Sequence, residues 1–175
     1  WGTFQIGSFY LGQQRGSTTF NMDVVNDGLF TAGPPSTNPN ELTNSLNFDN
    51  AVTGDGTIEV DANIVTFNVS VAQGQTVAFT GGYLPSPFNN PALVLNDVQE
   101  FGAVVSGFEQ NGQSNDQIIV NTANWSYQTF VGGEAGGALV FSDGVAETSV
   151  HLAGVYDPAK FHAAVSGSRT TITYG

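Results

Sequence analysis

The sequence predicts an all-β fold, either an imperfect β-solenoid or a β-sandwich, with short strands and almost no helix. Three observations carry this. Apolar residues recur with a period of two. Turn residues interrupt them at close spacing, including 22 Gly and 7 Pro in 175 residues. Helix start signals are nearly absent.

The clearest strand is Gly56–Ala62, where Ile58 and Val60 share one face and Thr57, Glu59 and Asp61 the other. Ile64-Val65 then breaks the parity. From there Val65, Phe67, Val69 and Val71 share a face. A one-residue slip would turn the buried set to solvent, so it predicts a bulge or a corner. Gln73-Gly74-Gln75 reads as a turn, after which Val77 and Phe79 resume the alternation. Leu93 and Leu95, Gln117–Val120, and Ala138–Phe141 follow. Asp143-Gly144 between two alternating runs signals a hairpin leading into Val150 and Leu152. Thr170–Tyr174 closes the series. Asp157-Pro158 places a cap and a helix-compatible Pro at the head of one or two helical turns, and Asn38–Leu42 is a second such candidate. Thr31–Asn40 and Tyr83–Pro91 hold three prolines each and read as loops, because Pro cannot donate to a ladder.

One β-rich domain over 1–175 is expected, with an N-terminal assembly strand at 1–12 and a looser join near 83–91. A chain of this length buries enough surface to fold without disulfides, and it has no Cys. Thiol catalysis, Cys-ligated zinc and iron–sulfur clusters are thereby excluded. Three basic against 15 acidic residues give a net charge of −12. Nucleic acid is a poor partner, since phosphate binding needs clustered cations. Anionic membrane surfaces repel such a chain, and no apolar run reaches the roughly 20 residues of a spanning helix. Hydrophobic residues at 40%, with 13 Phe, argue for a packed core. The acidic, Lys-poor, Asn- and Thr-rich composition points to an extracellular setting.

Several segments match a known pattern in order. They are Gly54-Asp55-Gly56-Thr57-Ile58-Glu59-Val60, then Val71–Phe79, Leu95-Asn96-Asp97, and Phe101–Phe108 (FGAVVSGF). Asn115–Val120 follows, then Ala138–Val140 with Ser142-Asp143-Gly144, Val150–Gly154 and Phe161-His162. From about residue 52 onward the chain resembles the β-rich repeat region of very large secreted bacterial adhesins of the autotransporter-like and hemolysin- or hemagglutinin-type kinds. The resemblance implies a secreted or cell-surface β architecture and no enzymatic activity. At Ser166–Thr171 the chain departs from it: the acidic Gly-rich turn of the family is replaced by a segment holding Arg169, which removes the basis for calcium there.

Candidate sites follow from residue chemistry. The apolar N-terminal stretch with Phe4, Ile6, Phe9, Tyr10 and Leu11 is a candidate assembly strand, since strand addition is a standard recognition mode. An ordinary first strand is the competing account. Trp125 and Tyr127, flanked by Asn124 and Gln128, form a candidate carbohydrate-binding face. Aromatic core packing is the preferred account of them. No cofactor is expected, with calcium the one candidate. Asp23 and Asp27 (with Asn21 and Asn26) and Asp49 and Asp55 (with Asn50) supply the hard oxygen ligands it takes. Turn capping explains these residues better. His151 and His162, with Asp157, lack a further fixed ligand for a transition metal. Glu59 and Asp61 are the only paired carboxylates suggestive of glycoside chemistry, and they share one face instead of opposing each other across a cleft. No Gly-x-Ser-x-Gly elbow is present.

The expectation is a secreted or cell-surface structural or adhesive protein, not an enzyme, that self-assembles through β-strand edges as a filament, sheet or matrix subunit. Its partner is then itself, with cell-surface polysaccharide a further possible partner. A carbohydrate-binding module is the alternative and a polysaccharide-active enzyme the third reading.

Overall fold

The computed structural model describes residues 3–10, 16–31, 45–60, 64–80, 91–108, 115–133 and 135–175. The chain passes back and forth between two sheets. β1 (Thr3–Tyr10) lies in sheet A and β2 (Ser17–Phe20) in sheet B. β3 (Asp23–Thr31) returns to A and β4 (Ser45–Phe48) to B. β5 (Val52–Thr53) and β6 (Thr57–Val60) are in A and β7 (Ile64–Phe67) in B. β8 (Thr76–Phe79), β9 (Ala92–Leu95), β10 (Val104–Ser106) and β11 (Gln117–Val120) continue the alternation. The chain then adds β12 (Ser126–Gly133), β13 (Gly136–Ser142) and β14 (Glu147–Ala153) to sheet A. A 3-10 turn at Pro158–Lys160 leads to β15 (Phe161–Ser166) and β16 (Arg169–Tyr174) in sheet B.

The fold is therefore all-β, with two sheets, no closed barrel and no α-helix among the described residues. The two-sheet arrangement is consistent with a sandwich-like fold. Sheet A runs β1-β3-β6-β8-β10-β14-β13-β12 with β5 beside β3, and sheet B runs β15-β16-β11-β9-β7-β4-β2. From β1 through β11 every ladder is parallel. The last five strands form antiparallel hairpins.

The parity slip near Ile64 is the point where the chain changes sheets: Ile58 and Val60 bury one face of β6, and Val65 and Phe67 bury one face of β7. Residues 61–63, Asp61 among them, lie outside the described residues, as do the candidate turn at Asn38–Leu42 and the join near 83–91. The Asp143-Gly144 hairpin and the turn at Pro158 both form where expected. Asp157 caps the latter, its carboxylate accepting from the Ala159 amide at 3.0 Å.

Between the sheets runs a column of aromatic rings. Phe20, Phe48 and Phe67 are successive partners in the parallel ladders of sheet B. Their rings stack at 5.5 and 5.0 Å. Phe30 from sheet A meets Phe20 and Phe48 edge-on at 5.5 and 5.6 Å. Such pairs add about 0.5–1.5 kcal/mol each beyond simple burial. Leu95 and Val120 continue the column.

Just outside this core, each sheet-B strand is followed by a polar residue. The Asp49, Asn68, Asn96 and Asn121 amides each donate to a carbonyl at the end of the adjacent sheet-B strand, at Phe20, Phe48, Phe67 and Leu95. Their side chains form a second ladder: Asn68 donates to Asp49, Asn96 to Asn68, and Asn121 to Asn96. Side-chain amides suit this because each carries both a donor and an acceptor.

Sheet A bends at a corner held by a buried polar pair. Asn26 and Gln75 are 0% and 1% exposed. The Asn26 Nδ2 donates to Gln75 Oε1 at 2.9 Å. Gln75 Nε2 donates to the carbonyls of Asn26 at 2.8 Å and Thr53 at 3.0 Å. Gly54 sits beside them at φ +96°, and a Cβ there would come within 2.4 Å of the Asn26 carbonyl. The tight stacking of this corner thus requires glycine.

Candidate functional site

Among the described strands, four lie at sheet edges. β1 and β2 close the N-terminal end, and β12 and β15 the C-terminal end. The two ends differ. At the N-terminal end both edge strands belong to parallel ladders, and the aromatic column is less covered: Phe20 is half-buried, while Phe48 is 0% exposed. Phe4 is also half-buried and packs on Phe20 with ring centroids 6.0 Å apart. Of the other candidate assembly residues, Ile6, Phe9 and Tyr10 hold positions on β1 opposite Asn26, Phe30 and Thr31. Leu11 lies outside the described residues. The sequence therefore located one edge strand and missed the other three.

At the C-terminal end a group of rings closes the core. Phe130 packs on Phe161 at 4.6 Å, and Tyr156 and Tyr174 meet edge-on at 5.1 Å. Lys160 Nζ lies 5.7 Å from the centre of the Tyr174 ring. Beyond these rings β15 is exposed from His162 through Ser166, and β12 carries exposed Gln128, Thr129 and Val131. Nearby, Phe108, Tyr156 and Tyr174 line an open cavity of about 220 Å³.

The alternative carbohydrate face at Trp125 is not presented, and the preferred core packing is what forms. Trp125 is 5% exposed and belongs to the core, so its ring has no free face for a sugar. Tyr127 is half-buried against Phe141, edge-on at 6.0 Å, and this burial raises its pKa. Asn124 takes up a left-handed φ of 72° in the turn before the strand. The Gln128 side chain donates to Ser126. The β propensity of aromatics, not ligand stacking, accounts for this segment.

The calcium candidates are spread over the corner and bonded to neighbouring amides. Asp23 accepts from Asn50 at 3.4 Å, Asp27 from Gln5 at 3.5 Å, and Asp49 from Asn68 at 2.5 Å. Asp55 is exposed. Asn26, counted with Asp23 and Asp27 as a ligand source, is committed to Gln75 and the backbone. No group of three or more His, Asp or Glu side chains is placed to hold a metal among the described residues. His151 is exposed on β14, and the His162 ring contacts the Gly175 carbonyl at 3.1 Å.

One titrating group is tied to local structure. The Asp143 carboxylate accepts from the Ala146 and Val145 amides at 2.7 and 2.8 Å in the β13–β14 turn. These bonds hold its pKa below the ordinary aspartate value. The folded pKa being depressed, its contribution to stability is present above the unfolded value near ~3.9 and is lost as pH falls through the folded value. Asp143→Asn is therefore expected to melt below the wild type at neutral pH. The gap should narrow as pH drops beneath the unfolded value, in melts recorded from neutral to strongly acid pH. A gap independent of pH would contradict this.

Compared with known proteins, the chain matches no family model, no curated protein and no solved structure.

Proposed function

We propose that this chain is a secreted or cell-surface structural and adhesive protein that self-assembles through its β-strand edges. The observation that carries the reading is the pair of sheet ends, edged by β1 and β2 and by β12 and β15 among the described strands, joined by one continuous core. Edge strands present unpaired backbone donors and acceptors and are ready templates for another chain. The parallel stacking of successive windings supports the solenoid form of the fold, in which uncapped ends stay adhesive. The order of the short motifs from residue 52 onward supports an adhesin-like setting outside the cell. The polar ladders suit a scaffold.

Sedimentation velocity over a hundredfold range of concentration tests it. Species larger than monomer should grow with concentration, and removal of residues 1–12 should weaken that growth. A truncated chain that associates as strongly as the whole one would refute a role for the N-terminal strand.

The cavity beside Tyr156 and Tyr174 favours a second reading, carbohydrate binding at the C-terminal end. Tyr156→Ala should then abolish retention on polysaccharide columns without lowering the strand signal in circular dichroism.

A further inference from the structure

Among the described strands β12 is the last of sheet A and pairs on one side, with β13. We propose that copies stack head to tail, with β1 of one copy adding in parallel to β12 of the next, so that sheet A runs on through the assembly. The proposal rests on the self-assembly reading and specifies its interface.

Three observations support it. First, direction: β12 is antiparallel to β13, β13 antiparallel to β14, and β14 parallel to β10 and hence to β1. Translation of one copy along the stacking direction therefore sets β1 and β12 parallel, the sense of every ladder from β1 through β11. Second, length: β1 and β12 are both 8 residues long. Third, reach: the path of sheet A holds one strand more than that of sheet B. Copies placed end to end thus meet first through sheet A.

The same geometry supplies blocking variants. The Val24 amide donates to Ala51 on the side away from β1. In a parallel ladder alternate residues face opposite neighbours, so Val25 faces β1, and Gln5, its partner in register, directs its own amide to the open side. Gln5→Pro removes that donor. At the other end Val131 is 62% exposed on β12, and Val131→Asp places a carboxylate in the surface that a neighbouring copy must cover, where it would be desolvated. Thr129→Asp, at another exposed position of β12, repeats the test.

The experiment is sedimentation velocity on the whole chain, each variant alone and then mixed. Circular dichroism first verifies that each retains its strand signal. The wild type should grow with concentration, and Gln5→Pro and Val131→Asp alone should each stay monomeric. Each variant keeps one intact end, so their equimolar mixture should yield a dimer and nothing larger. If the β12 variants assemble like the wild type, β12 is not the partner, and the proposal falls while the self-assembly reading stands. A mixture that stays monomeric also overturns it. A wild type that remains monomeric at all concentrations overturns both.

Discussion

Phe48→Ala is expected to lower the stability of the chain by about 3–5 kcal/mol, the range for removing a fully buried ring from a packed core. Phe48 is 0% exposed and touches three other rings at once: Phe20 and Phe67 by stacking and Phe30 edge-on. Its loss leaves a cavity between the sheets that the regular ladders on both sides prevent from collapsing. At roughly 2–4 °C per kcal/mol for a domain of this size, the melting temperature should fall by about 6–20 °C. Phe48→Leu, which keeps most of the volume, should cost less than half as much. Urea melts of both variants check the ranking. Equal losses would mean that the ring contacts, which leucine cannot make, carry the whole effect and that filled volume contributes little.

Gln75→Leu is expected to destabilise by about 2–4 kcal/mol, because each buried polar group left unmatched costs about 1–3 kcal/mol. Gln75 is the partner of the Asn26 side chain and of two carbonyls, at Asn26 and Thr53. The leucine fills the space and satisfies none of them. Asn26→Leu should cost a comparable amount. The double variant should cost at least about 1 kcal/mol less than the sum, since residues in one hydrogen-bonded network couple. Strict additivity in chemical denaturation would show that the two side chains do not act together at the corner.

Several strands were legible because one face of each is buried, while β2, β3, β4 and β15 were not. Ile58, Val60, Val65, Phe67, Leu93 and Leu95 alternate with more exposed residues, and all are buried. The Asp143-Gly144 turn and the Asp157 cap were legible for the same reason: each is a local rule, settled within four residues. The side-chain ladder was written in the sequence too, as Phe48-Asp49, Phe67-Asn68, Leu95-Asn96 and Val120-Asn121. It escaped notice because its bonded members stand 19, 28 and 25 residues apart. The stacking fixes the column but leaves the connection from sheet A to sheet B free to vary in length, so no constant period appears.

The Asn26–Gln75 pair was not legible. Its members are 49 residues apart, and nothing near Asn26 distinguishes a buried staple from a turn residue or a calcium ligand. Trp125 shows the converse limit. A Trp and a Tyr two positions apart favour core packing but also fit a sugar platform, and only the opposing sheet decides. The edges at β12 and β15 were hidden because an edge is a property of topology: exposure on both faces of β15 follows from its place in the sheet, not from its composition.

Electron microscopy of the purified chain at rising concentration tests the central claim most directly. The account predicts linear assemblies with an axial repeat of about 38 Å, the run of sheet A at roughly 4.8 Å per strand. Single particles of monomer size at every concentration would contradict it.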